Sequence, residues 1–140
     1  MTREEIVAFF ARRQRAVERR DADALADLHA EGSVVESLMA GKVSGRPAIA
    51  DVYRAWFKAF PDVMMLGNDL VIDGDRVVMI NDVAGTDIGG FMGLPPTGRP
   101  FRLSMVFIYT LRDGEIQHER RISDFTGLLM QIGVLKARPA

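Results

Sequence analysis

Apolar positions recur at helical spacing in the first 60 residues and at strand spacing through most of the rest. Residues 3 to about 20 predict an amphipathic helix with Ile6, Phe9, Phe10 and Val17 on its apolar side, and Thr2 with Glu5 has the spacing of a capping box. A second short helix is expected from Asp21 to about Ala30, with Ala22, Leu25 and Leu28 inward. Residues 33–39 suit a strand and residues 41–45 a turn, after which Pro47 fits the first turn of a third helix. That helix carries Ile49, Val52, Tyr53, Trp56, Phe57 and Phe60 at helical spacing, and Pro61 with Asp62 ends it. From residue 63 the period becomes extended. Strands are predicted at 63–72, 76–86, 99–111 and 115–124, with turns at Asp73-Gly74 and Asp113-Gly114, a long loop from Asp87 to Gly98 and a closing helix at 126–132. Helices followed by an antiparallel meander define an α+β fold, expected as one domain over residues 1–140.

The turn at Asp113-Gly114 allows a prediction of faces. If Arg112 pairs with Glu115, then Asp124 lies opposite Leu103, Ile122 opposite Met105, Arg120 opposite Phe107 and His118 opposite Tyr109, all on one face. Glu119 and Arg121 then belong to the other face, and a bulge would exchange the two. An acid on a helix-covered apolar face has its pKa raised by desolvation, which suits a proton shuttle near neutral pH. Asp124 is therefore the first candidate for chemistry, with the alternative that it caps the last helix. His118 is either structural or part of the site. Arg120 is expected to anchor a buried carboxylate, Asp82 or Asp124. Tyr53, Trp56, Phe60, Met105, Phe107 and Tyr109 are expected to shape an apolar wall; for the helical aromatics among them, core packing and cavity lining both remain open.

Composition narrows the chemistry further. There is no cysteine and there are only two histidines, which removes disulfides, thiolate nucleophiles and His-rich metal sites. The net charge of −1 argues against nucleic acid as a partner, and acidic residues interrupt or flank the basic run from Arg12 to Arg20. No apolar run approaches a membrane span, and the first residues lack the apolar core of a signal peptide, so a cytoplasmic setting is expected. Neither a phosphate-binding glycine loop nor a nucleophile elbow is present. Proton transfer without metal or cofactor is the expected chemistry.

Gly45-Arg46-Pro47-Ala48-Ile49, Gly85-Thr86-Asp87, Gly93-Leu94-Pro95-Pro96-Thr97-Gly98, Arg112-Asp113-Gly114-Glu115-Ile116 and the run from Asp124 to Gly133 resemble, in this order, the SnoaL-like polyketide cyclases. These belong to the nuclear transport factor 2-like, or ketosteroid isomerase-like, superfamily. The resemblance implies a cone-shaped curved sheet wrapped around three N-terminal helices, a deep apolar pocket and a homodimer packed through the outer sheet face. It also implies that Asp124 is the general acid/base of an aldol ring closure. Glu119-Arg120 stands where the cyclases usually carry His-Trp, and Asp87 where a histidine often follows Gly-Thr. Limonene epoxide hydrolase is similar at Asp124 and Arg120, but its Arg-x-Asp falls near Asp82-Val83-Ala84. The expected function is a cofactor-free acid/base enzyme, of cyclase or isomerase type, acting on a small apolar cyclic or carbonyl-bearing molecule. The alternatives are a non-catalytic ligand-binding or dimerisation module and an epoxide hydrolase with a rearranged site.

Overall fold

The computed structural model describes residues 1–136. Helix α1 (Arg3–Glu18) starts at the expected capping box, with Glu5 N–H donating to the Thr2 hydroxyl and Thr2 N–H donating to the Glu5 carboxylate. Its buried stripe is Ile6, Phe9, Phe10, Arg13, Ala16 and Val17, so an arginine occupies a position that helical spacing gives to the core. Helix α2 (Ala22–Asp27) is capped by Asp21. It is shorter than expected because the chain turns extended at His29 and strand β1 runs His29–Ser37. The region expected as a turn holds a short strand, β2 (Gly41–Ser44), which pairs with β1. Helix α3 (Arg46–Ala59) follows with Pro47 in its first turn.

Strands β3 (Met64–Asp73), β4 (Arg76–Thr86), β5 (Pro100–Arg112) and β6 (Glu115–Ser123) form the expected meander, and α4 (Phe125–Gln131) closes the chain. The first hairpin turn lies one residue later than predicted, with Asp73 pairing to Arg76 around Gly74-Asp75. The six strands lie in the order β2-β1-β6-β5-β4-β3. The β1–β6 pairing is parallel and the others antiparallel, so the sheet is mixed, curved and unclosed. Helix α1 packs on β3 and α3 on β1, which sets the core between the helices and the concave face. Among the described residues no helix is long and apolar enough to cross a membrane.

The loop after β4 folds back to plug one end of the cone. Phe91 is buried there, its ring centroid 5.2 Å from that of Phe60 and 5.9 Å from that of Trp56. Asp87 holds the loop, its Oδ2 accepting from the Thr97 backbone N–H (3.0 Å) and the Thr97 hydroxyl (2.9 Å). Gly89 lets the loop touch the end of α3, donating to the Ala59 carbonyl. A Cβ at residue 89 would lie 1.9 Å from the Lys58 carbonyl oxygen, a backbone atom that cannot swing aside. Gly89→Ala is therefore expected to cost roughly 1–3 kcal/mol as an overpacking substitution. Thermal melting beside the parent checks this, and an unchanged midpoint would mean that the loop lifts off freely.

Candidate active site

Strand parity decides which polar groups enter the cone. Arg112 pairs with Glu115 and Leu111 with Ile116 as predicted, but the next pair is Thr110 with His118. Gln117 is the extra residue of a β-bulge, and beyond it β6 presents the face opposite to the one expected. Glu119 pairs with Tyr109 and Arg121 with Phe107, and all four side chains are buried on the concave side. His118, Arg120 and Ile122 turn outward instead. His118 is half-buried against the Glu36 carboxylate of β1, while Arg120 and Ile122 are exposed.

The other two acid candidates are also placed differently. Asp82 is exposed on the outer face of β4, opposite Ser104, because its neighbours Asn81 and Val83 take the inward positions. Asp124 lies exposed just beyond β6 and caps α4, its Oδ1 accepting the Gly127 N–H at 2.8 Å. Asp124, Asp82, Arg120 and His118 thus do not converge on one pocket. Asp124→Ala is expected to lower stability by about 1 kcal/mol through loss of the cap, whereas Asp124→Asn should leave stability close to the parent's. Chemical denaturation of the two variants makes the comparison.

The groups that do converge are Glu119, Arg121, Arg13, Tyr53, Tyr109 and His29. Arg121 Nε donates to Glu119 Oε2 at 2.5 Å, and its guanidinium lies over the Tyr53 and Phe107 rings, 4.7 and 4.9 Å from their centroids. Arg13 reaches the same interior from α1, donating to the Tyr53 hydroxyl at 3.1 Å and lying 5.4 Å from the Phe107 ring centroid. Stacking on aromatic faces keeps a desolvated guanidinium favourable. His29 Nε2 is 3.9 Å from Glu119 Oε1, and its Nδ1 is 3.0 Å from the Ser33 hydroxyl. The start of β1 is pinned for this purpose, since Arg46 donates to the His29 carbonyl at 2.8 Å and pairs with Glu115 at 2.9 Å.

These contacts set the protonation states. Burial pushes the Glu119 carboxyl up, but Arg121, His29 and Arg13 outweigh that and hold it below its ordinary value. Burial drives His29 down to about 4 against the pull of Glu119, so the imidazole is neutral at pH 7. Burial also lifts the Tyr109 phenol well above its ordinary value. Several polar atoms of the cluster have no protein partner: Arg121 Nη2, Glu119 Oε1, the Tyr109 hydroxyl and both amide atoms of Asn81, which also points inward from β4. Each such group costs about 1–3 kcal/mol unless a water or ligand meets it, so the cluster marks a place where one would bind.

Two hollows open beside this interior. One, of about 460 Å³, lies between the β1–β2 hairpin, α3 and the loop after β4, with a largely apolar lining that includes Met39, Val43, Val52, Trp56 and Phe91. The other, of about 480 Å³, is lined by Arg121 with Ser37, Lys42, Arg120 and Ser123. Both touch Ser37. Of the six residues expected to form the apolar wall, Trp56 lines the first hollow, while Tyr53, Phe60, Met105, Phe107 and Tyr109 are buried core at 2% exposure or less. Arg13 and Asn81 were legible as polar residues on otherwise apolar stripes, at 6-9-10-13-17 of α1 and 77-79-81-83 of β4. His29 had no such signal, because its strand began inside an apparent helix.

The concave sheet and the three helices that it wraps define a nuclear transport factor 2-like fold. The chain belongs to the SnoaL-like polyketide cyclase family, which it matches over residues 8–132. It is similar to IdmH of Streptomyces antibioticus, a polyketide cyclase candidate, with 31% identity and a TM-score of 0.76 over 90% of this chain and 96% of that one. AclR of Streptomyces galilaeus, a hydroxylase candidate, is 25% identical with a TM-score of 0.80, covering 94% and 83% of the two chains. TsrD of Streptomyces laurentii, at 22% identity and a TM-score of 0.85 over 96% and 99%, shares the fold. No curated protein matches the chain.

Proposed function

We propose that the chain is a cofactor-free acid/base enzyme of cyclase or isomerase type, and that it acts on a small apolar, carbonyl-bearing molecule held inside the cone. The observation that carries this reading is the buried Glu119–Arg121 pair, with a free carboxylate oxygen on one side and a free guanidinium N–H on the other. Glu119 is ionised at neutral pH and takes a proton from carbon next to the substrate carbonyl. The electron pair moves onto the carbonyl oxygen, which Arg121 Nη2 and the Tyr109 hydroxyl hold as an enolate. In a ring closure the enolate carbon then attacks a second carbonyl of the same molecule, and the proton on Glu119 returns to the new alkoxide. A depressed carboxyl pKa makes Glu119 a weak base. Stabilisation of the enolate by a desolvated guanidinium compensates, because electrostatic preorganisation is commonly the largest single contribution to such steps.

The test is turnover of polyketide-like β-dicarbonyls and ketosteroids by the parent, Glu119→Gln, Tyr109→Phe and Asp124→Asn. Glu119→Gln should lose at least about a hundredfold, the lower range for removing an acid/base group. Tyr109→Phe, which deletes an unpartnered hydroxyl and should fold normally, should lose about tenfold. Asp124→Asn keeps the helix cap and is expected to retain activity. The opposite order would return the chemistry to Asp124. Ligand binding with no turnover by any protein would favour a non-catalytic binding module.

The same reading includes a homodimer through the outer sheet face. Ile80, Val106 and Ile122 form a continuous apolar row there across β4, β5 and β6, with Ile80 and Ile122 exposed. Ile122→Glu is expected to convert dimer to monomer in sedimentation velocity, and a parent that already sediments as a monomer would overturn it.

A further inference from the structure

The charges enclosed by the cone do not balance. Arg13 and Arg121 each carry a permanent positive charge, and both are almost wholly buried. The buried acids among the described residues are Glu119 and Asp87, and Asp87 is committed to Thr97 in the loop. His29 is buried too, with its ring against Ser33 and Glu119. One carboxylate therefore faces two guanidiniums in a region from which water is largely excluded. Burying an uncompensated charge is among the most costly things a fold can do. The free groups repeat the asymmetry, since Arg121 Nη2 and the Tyr109 hydroxyl are both unpartnered donors while Glu119 Oε1 is the carboxylate's unpartnered acceptor.

We infer that the ligand supplies the second negative charge: the interior binds a compact, largely apolar molecule that carries an anionic oxygen, as a carboxylate or as the enolate of an acidic dicarbonyl. This rests on the proposed site and specifies the charge of what enters it. The oxygen sits against Arg121 Nη2 and the Tyr109 hydroxyl, and the apolar skeleton lies toward the groove that Arg121 lines. The groove lined by Arg121 suits such a molecule on its way in. Lys42 and Arg120 stand at that groove, and its one carboxylate, Glu36, is already engaged by Lys42 at 3.6 Å and by His118. A molecule with an anionic oxygen gains more from this lining than its neutral counterpart and offsets more of the interior's positive charge.

Titration calorimetry with two matched pairs of probes tests the inference. The enolate pair is 5,5-dimethylcyclohexane-1,3-dione, ionised at pH 7.5, and its neutral methyl enol ether. The carboxylate pair is 2-naphthoate and 2-naphthamide. In at least one pair the anion should bind at least about tenfold more tightly, and which pair responds identifies the source of the charge. Tyr109→Phe should weaken that anion about tenfold, leave its neutral partner unchanged and melt no lower than the parent, because the deleted hydroxyl has no partner in the free protein. Equal affinity within both pairs, failure of both anions to bind, or an anion indifferent to Tyr109→Phe would each overturn the inference. The proposed reaction is judged separately by turnover. Anion preference without turnover would remove the acid/base reading alone, and Glu119-dependent turnover without anion preference would remove this one alone. Having no cysteine, the chain cannot form the sulfenic acid that traps a cyclic 1,3-dione.

Discussion

Glu119→Gln is expected to destabilise the protein by about 3–5 kcal/mol, the range for removing one partner of a buried ion pair. The substitution preserves shape, so the loss is electrostatic: Arg121 keeps its place between Tyr53 and Phe107 but loses the carboxylate at 2.5 Å. Arg13 loses a compensating charge as well, since the carboxylate acts on both guanidiniums. Against the ordinary stability of a small domain, about 5–15 kcal/mol, this is a large fraction and some of the protein would unfold near body temperature. Denaturant melts of Glu119→Gln, Arg121→Met and the double variant measure it. The double variant should recover part of the loss, because replacing both members of a buried pair by apolar groups is often nearly neutral. A single variant within about 1 kcal/mol of the parent would show that water reaches the pair and that the interior is not dry.

Acid should act on the same cluster through His29. The folded imidazole is held neutral down to about pH 4, whereas in the unfolded chain it protonates near pH 6.5. Between those values the unfolded state binds the extra proton, so stability falls as the pH is lowered through this window and levels off below it. The difference corresponds to about 3 kcal/mol for a fully buried group. Glu119 acts in the same sense, because its folded pKa is depressed and its contribution is lost only as pH falls through that lowered value. Melting temperatures should therefore hold from pH 7.5 to about 6.5 and decline from there to pH 4, and His29→Gln should flatten that decline. A His29→Gln variant with the parent's slope would place the acid sensitivity elsewhere.

Most of the architecture was legible from spacing and turn chemistry. The capping box at Thr2, Pro47 at the start of α3 and the turn at Asp113-Gly114 each combine a residue type with a backbone requirement that few alternatives meet. Strand β2 was missed because three residues between Gly41 and Gly45 carry too little pattern to separate a strand from a turn. The start of β1 was missed because Leu28 and His29 continue a helical spacing that the chain abandons when Ile116 N–H donates to the Leu28 carbonyl. That bond depends on a strand 88 residues away and leaves no local trace.

The predicted faces of β6 exchange at a single position. Ile116 and Glu119 both point inward, an odd separation that alternation forbids, and Gln117 resolves it by bulging while its amide donates to the Arg112 carbonyl at 3.3 Å. Nothing in Ile-Gln-His-Glu-Arg-Arg states whether its even or its odd members face the core, since charged and polar residues fill both sets. Only the surroundings decide, through Arg13, Tyr53 and His29, which give Glu119 and Arg121 partners that His118 and Arg120 would not find.

Gln117 therefore works as a selector between two interiors already written into one strand. Smoothing out the bulge so that Gln117 pairs with Thr110 would rotate His118 and Arg120 inward and expel Glu119 and Arg121, whereas deleting Gln117 would leave Glu119 opposite Tyr109 in a regular hairpin. A lineage can exchange the chemistry of such a cone by gaining or losing one bulge in a hairpin. Relatives of this fold that differ there should be compared by which way each side chain points before they are compared by column.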